Sequence, residues 1–221
     1  MTLTSTFPVE HLEPPPWIYA RMASGSLMRL IYQLFVGDLA QDLTSGSCLL
    51  DVGTGPGYLL GYLSQARDDL ELWGLDFSEE MIRRARPRQA ALAPGAEVRW
   101  VVANACHLPF PARVFDQVVA SFSFHIWSCP ADGLKELRRI LKPGGQAWVY
   151  ELRREASLAD LEAFALETGL PFPLVWLGFK VVSRHHAVPA PEFERALKQA
   201  AGYGGTLRPV HHIFWRAELA E

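Results

Sequence analysis

The chain has 221 residues, 49% of them apolar and 20% charged, a balance that suits one domain with a small elaboration and one large core. Its formal charge of −3 argues against a duplex-binding surface, which needs a basic excess. The three cysteines, Cys48, Cys106 and Cys129, are odd in number and widely spaced, so they favour a reducing compartment over a disulfide framework or a zinc site. Met1 to Glu10 lacks the basic start and apolar run of a secretory signal, and no stretch reaches the ~18 apolar residues of a membrane helix, so the expected location is cytoplasmic.

Pro14-Pro15-Pro16 closes an irregular opening. From Trp17, the spacing of Ile18, Met22, Leu30, Ile31, Leu34, Phe35 and Leu39 predicts a helix weakened at Gly25 and Gly37. Cys48 to Val52 reads as a buried strand, followed by the glycine turn Gly53 to Gly57 and a helix from Tyr58 to Arg67. Glu71 to Leu75 is a second strand ending at Asp76, and Ser78 caps the helix that starts at Glu79. Val98 to Val102 and Phe115 to Ser121 are the third and fourth strands. A helix through Leu134, Leu137, Ile140 and Leu141, with Asp132 as its candidate cap, stops at Pro143-Gly144-Gly145; a fifth strand runs from Gln146 to Tyr150.

The last third changes character. Ser157 caps a helix through Glu167, which Gly169 ends. Leu170 to Pro189 is apolar, aromatic and proline-punctuated, with Phe172, Leu174, Val175, Trp176, Leu177 and Phe179 too apolar for a free surface loop. Pro191 opens a helix that Gly202 closes, and Thr206 to Val210 and Ile213 to Leu219 form a terminal strand pair. Strands alternating with helices through short connections imply a doubly wound, Rossmann-like α/β sheet with helices on both faces. The expected organisation is one domain: a helical segment over 1–45, a core over 46–156, a cap over 157–190, and a closing helix and strand pair over 191–221.

The glycine turn carries the chemistry. Glycines between a strand and a helix let the backbone approach a bound nucleotide-type ligand at the carboxyl edge of the sheet. The spacing of Gly53, Gly55 and Gly57 is Gly-x-Gly-x-Gly, and Tyr58 stands where a dinucleotide fold wants its last glycine or alanine. Asp51, just before the glycines, would repel a pyrophosphate and suits a cationic ligand. Asp76 ends the next strand at the offset of ~20 residues expected of a ribose-binding acid, whose carboxylate can accept from both ribose hydroxyls.

The runs Leu49 to Gly57, Gly74 to Ser78, Ala103 to Phe110, Phe115-Asp116 and Leu137 to Gly145 occur in order over residues 47–151. As a set they resemble the class I S-adenosylmethionine-dependent methyltransferases, in particular the small-molecule branch that includes the ubiquinone and menaquinone methyltransferases. The resemblance implies a seven-stranded sheet with its last strand antiparallel, and S-adenosylmethionine as cofactor. It implies that Asp51, Gly53, Gly55 and Gly57 face the methionyl part, and that Asp76 meets the ribose. Phe77 and Met81 would lie beside the adenine, Asn104 and Ala105 at its edge, and Ser121 near the methionyl backbone. Asn104 departs from the common pattern, which has Asp there. Tyr19 and Arg21 are candidates to close over the cofactor carboxylate.

Methyl transfer from a sulfonium is an in-line displacement that asks the protein to align the acceptor, exclude water and, for some acceptors, remove a proton. The segment Ser121-Phe122-Ser123-Phe124 lacks the proline-rich motif of nucleic-acid amino methylation and the carboxylates of metal-dependent catechol methylation. The expected partner is therefore a small-molecule acceptor, apolar or aromatic, with nucleic acid marked down. His125 is the one titratable side chain in that loop and the candidate catalytic base. No metal is expected: His185-His186 and His211-His212, if they lie on strands, would point to opposite faces. Two alternatives share these features, a non-catalytic module that binds the nucleoside and an aminopropyl transferase.

Overall fold

The computed structural model describes residues 25–200 and 205–220. Helix α1 (Ser26–Asp42) leads into β1 (Cys48–Val52), α2 (Tyr58–Ala66), β2 (Glu71–Asp76), α3 (Glu79–Leu92) and β3 (Val98–Val102). Then come β4 (Phe115–Ser121), a single 3-10 turn (Phe124–Ile126), α4 (Pro130–Ile140) and β5 (Leu141–Arg153). The chain continues through α5 (Leu158–Thr168), α6 (Phe172–His186), the two-residue β6 (Ala187–Val188), α7 (Ala190–Ala200), β7 (Thr206–Val210) and β8 (Phe214–Ala220). Tyr19 and Arg21 lie outside the described residues, as does Gly202.

Seven strands form one path in the order β3-β2-β1-β4-β5-β8-β7, and β6 adds a short parallel pairing to the end of β5. Strands β1 to β5 are mutually parallel, while β8 runs antiparallel to both β5 and β7. The expected doubly wound sheet with its last strand antiparallel is the fold. Chain order reverses between β1 and β4, which opens the crevice where such sheets bind ligands.

Successive strand residues point to opposite faces, so the unbroken apolar runs feed two cores. Leu49, Val119 and Tyr150 pack with α1, α2, α5 and α6 on one side. Leu50, Val118 and Val149 pack with α4 and α7 on the other. Ser78 caps α3, its hydroxyl accepting from the Met81 N–H, and Ser157 and Asp160 form a capping box on α5.

Three local expectations change. Strand β5 begins at Leu141, which pairs with Phe115; the ladder is interrupted around Pro143-Gly144 and resumes at Gln146 opposite Gln117. Gly144 takes φ +79° there, so the proline and glycines make an irregularity in a longer strand and not a loop before it. Pro130 opens α4 after Cys129, which leaves Asp132 in the first turn, paired with Lys135, and not at the cap. The apolar segment after Leu170 is a helix of 15 residues.

A polar cluster ties α1 to the far half of the sheet. Asp38 accepts hydrogen bonds from Tyr150 Oη and Arg216 Nη1, both at 3.0 Å, and lies 3.3 Å from His211 Nε2. His211 Nδ1 meets Glu167 at 2.7 Å. The Arg216 guanidinium lies over the Trp148 ring at 4.1 Å, and Tyr150 stacks on Phe35.

Candidate active site

A cavity of about 380 Å³ opens at the carboxyl ends of β1, β2 and β4. One end is formed by the glycine turn, Asp76 to Ser78, Met81 and Ser121. The other is apolar, with Ile31 and Tyr32 from α1, Phe122 from the loop after β4, Phe164 from α5, and Val175, Phe179 and Val182 from α6.

Backbone hydrogen bonds hold the turn against the sheet. The N–H groups of Gly53 and Thr54 both donate to Leu75 O, at 2.8 and 2.9 Å. Gly53 has φ +74°, and a side chain there would fall on Ser123, whose hydroxyl donates to Val52 O at 3.0 Å. Gly55 has φ +54° and no atom within 4 Å of where a Cβ would sit, so it faces open space in the cavity wall. Gly57 does not line the cavity; its missing side chain makes room for Trp100 and Ala85.

Asp76 borders the cavity but is largely buried, and it acts as a strap. Its Oδ2 accepts from Gly55 N–H at 2.8 Å and its Oδ1 from Ser78 N–H at 2.9 Å, which joins the glycine turn to the start of α3. Phe77 beside it is 60% exposed at the cavity mouth, a large apolar ring held where another flat group could cover it. Asp51 lies behind the turn, fully buried, and neither carboxylate oxygen has a hydrogen-bond partner among the described residues. Burial pushes its carboxyl up to about 7. The Tyr32 hydroxyl is raised above the ordinary phenol range, first by burial and then by the charge of Asp51.

Asn104 and Ala105 are not in the cavity wall. Ala105 is buried in the α4–α7 core, and Asn104 Oδ1 accepts from Cys106 N–H at 2.9 Å, closing its own turn.

Beyond Ser121 the chain turns sharply. Phe122 adopts φ +54°, donates its N–H to Tyr150 O at 3.0 Å and packs against Phe35 and Phe214. This places His125 in the cavity wall. The carboxyl group of fully buried Glu151 takes the His125 backbone N–H at 3.2 Å and faces ring Nδ1 at 3.1 and 3.2 Å. His125 Nε2 lies 3.0 Å from Nδ1 of His186, at the end of α6. Sequence reasoning singled out His125 and missed both partners. The available signal for Glu151 was an acid inside the apolar run of a central strand. His186 was set aside on the assumption of a strand, whereas it ends a helix. Among the described residues no group of three or more His, Cys, Asp or Glu could hold a metal.

A doubly wound sheet with an acid and a glycine turn at its switch point has the form of a nucleotide- or nucleoside-binding site. The methyltransferase domain family matches residues 50–149, and the chain belongs to that family. It is 34% identical over 167 residues to the demethylmenaquinone methyltransferase of Thermus thermophilus, covering 70% of this chain and 73% of that protein. It is 30% identical over 165 residues to the ubiquinone/menaquinone biosynthesis C-methyltransferase UbiE of Ralstonia pickettii, covering 72% and 63%. The uncharacterized methyltransferase YdaC of Bacillus subtilis is 34% identical over 118 residues, covering 52% and 61%. The chain thus spans somewhat over three fifths of the length of these last two relatives. A methyltransferase from Aquifex aeolicus described as SAM dependent shares the fold with a TM-score of 0.68 at 22% identity, over 93% of this chain and 98% of that one. The plantazolicin methyltransferase BpumL does so with a TM-score of 0.65 at 16% identity, over 91% and 88%. The chain is thus a member of a methyltransferase family, and solved proteins that share its fold are described as SAM dependent. No helix among the described residues is long and apolar enough to cross a membrane.

Proposed function

We propose that the protein methylates an apolar ring compound carrying an acidic hydroxyl, of the hydroquinone type. The observation that supports this is a single cavity with a glycine-and-acid end continuous with a chamber walled by aliphatic and aromatic side chains. Such a chamber binds apolar surface at about 25 cal/mol per Å² and offers few partners to a sugar, nucleotide or peptide. The names of the menaquinone and ubiquinone relatives point to the same chemistry.

S-adenosylmethionine, when bound, supplies an activated methyl group on a sulfonium. The residues present fit it. The unpartnered Asp51 carboxylate behind the glycine turn suits the ammonium of the methionyl part. Gly55 leaves room above the backbone, and the Asp76 carboxylate borders the same cavity as the candidate ribose acceptor. Phe77 and Met81 offer an apolar face to the adenine, and Ser121 borders the methionyl chain. Gly57, Asn104 and Ala105 lie outside the cavity wall and make packing and turn-closing contacts. The aromatic wall excludes water from the reacting centre, and His125 belongs to the machinery that takes the acceptor proton.

Calorimetry with S-adenosylhomocysteine and NAD, followed by incubation of labelled S-adenosylmethionine with a short-chain prenylated 1,4-naphthoquinol under reducing conditions, tests the reading. Binding of the adenosyl ligand alone and a singly methylated naphthoquinol are expected. Tight NAD binding without response to the adenosyl ligand would overturn the donor assignment. Methylation of polar acceptors in preference to naphthoquinols and apolar phenols would overturn the acceptor class.

A further inference from the structure

Three side chains make a directed chain of hydrogen bonds into the cavity wall: Glu151, His125 and His186, with ring-nitrogen contacts of 3.1 Å and 3.0 Å. Each comes from a different element. Glu151 is on β5, His125 is in the 3-10 turn after β4, and His186 ends α6. Both histidines line the cavity, and Glu151 is fully buried behind them.

The direction of the chain follows from what each atom can do. Glu151 Oε1 accepts the backbone N–H of His125, a group that can only donate. The same carboxyl group faces the ring nitrogen at hydrogen-bond distance, and as an acceptor there it takes a hydrogen from His125 Nδ1. A neutral His125 then presents a bare Nε2. The 3.0 Å contact requires the facing His186 Nδ1 to carry the hydrogen. The lone pair of His186 is therefore on Nε2.

We propose that His186 Nε2 is the atom that takes the proton from the methyl acceptor, with His125 and Glu151 as positioning residues that set its tautomer and stabilise the charge it gains. This deepens, and rests on, the reading of the cavity as an acceptor site. In the step, the acceptor O–H gives its proton to His186 Nε2. The nucleophilic atom of the resulting anion forms its bond to the methyl carbon as the carbon–sulfur bond breaks, and the sulfur keeps that electron pair as a neutral thioether. For ring-carbon methylation, the hydrogen on that carbon then leaves as a proton as the hydroxyl is restored, so one proton in total is released. His186 Nδ1–H can pass its proton to His125 Nε2, which leaves an imidazolium against the Glu151 carboxylate and restores a neutral His186. Return of that proton to His186 Nδ1, as His186 Nε2–H gives its proton to water, restores the starting tautomers. His125 is then the middle of the relay and not its terminal base.

Nitrogen-15 NMR of histidine-labelled, ligand-free protein reads the tautomers without any acceptor. His125→Gln and His186→Gln variants assign the two rings. Both rings are expected to be neutral at pH 8 with hydrogen on Nδ1. Hydrogen on Nε2 of His186 would overturn the inference, because the relay would then run the other way. Glu151→Gln is isosteric and should remove the enforced polarity; unchanged tautomers in a folded variant would also overturn it. In turnover with the naphthoquinol, His186→Gln should lower kcat by about 10²–10⁴-fold with little change in KM. Glu151→Gln should lower kcat less and move the pH profile. Wild-type kcat in His186→Gln would overturn the relay. Correct tautomers with no methylation of any naphthoquinol or apolar phenol would instead overturn the acceptor reading.

Discussion

Asp51 is a fully buried acid behind the glycine turn, and the consequence can be signed. Its folded value of about 7 lies above the ordinary carboxylate range, so the ligand-free folded state binds the proton more tightly than the unfolded chain. Stability from this group is therefore full in acid and is lost as pH rises from about 4 towards about 7, by roughly 2–4 kcal/mol. Urea unfolding of the ligand-free protein across that window should show the fall, and Asp51→Asn should flatten it. A cationic methionyl ammonium reverses the preference, so S-adenosylhomocysteine binding near pH 6 should expel a proton. Calorimetry in two buffers of different ionisation heat measures this; equal enthalpies would mean that Asp51 takes no part. Asp76 makes a different case. Its place at the end of β2 was legible from sequence spacing, but its two backbone bonds were not, because they depend on how the turn and α3 meet in space. Asp76→Ala is thus expected to cost about 1–3 kcal/mol of stability as well as about 2–4 kcal/mol of ligand binding. Thermal melting with and without S-adenosylhomocysteine separates the two losses.

Helix α6 shows why an element can hide in its own sequence. Val175, Phe179, Val182 and His186, spaced four, three and four apart, turn toward the cavity. Leu174, Leu177 and Val181 are exposed on the other side, so apolar residues surround the helix and no period stands out. The flanking prolines then make the segment look irregular, and only the tertiary placement shows which side chains form a wall. Strands β1, β2 and β4 were easier to read, because buried parallel strands leave short apolar runs with turn residues at each end. Phe179→Ala should enlarge the acceptor chamber and raise the acceptor KM by about tenfold, given the apolar area lost. S-adenosylhomocysteine affinity should remain within about twofold, which calorimetry on the same variant checks.

For the whole molecule, the Asp38 cluster fastens the first described helix to the last strand. Burial opposes the charge on both Asp38 and His211, but their mutual hydrogen bond, together with Tyr150 and Arg216 at Asp38 and Glu167 at His211, outweighs it and holds Asp38 below and His211 above their ordinary ranges. Asp38 stabilises above the usual carboxylate range and loses that contribution as pH falls through its lowered value. His211 stabilises fully below the usual imidazole range and loses its part as pH rises through its raised value. The pair therefore contributes most between about pH 5 and pH 6. Asp38→Ala should cost about 2–4 kcal/mol there and less at pH 9, as unfolding midpoints at the two pH values will show. None of this was visible in sequence, since Asp38, Tyr150 and Arg216 are joined only by the sheet order. The family match covers residues 50–149, the stretch that holds the glycine turn, Asp76 to Met81 and Ser121. Most of the apolar wall of the cavity is drawn from outside it, from Leu27 to Tyr32 and from Leu152 onward. The enzyme resembles a tool with a fixed grip and an interchangeable jaw: mutations that reshape the jaw leave the grip intact. A library confined to α1 and α6 should therefore yield variants that accept new ring compounds while holding the methyl donor as tightly as the parent.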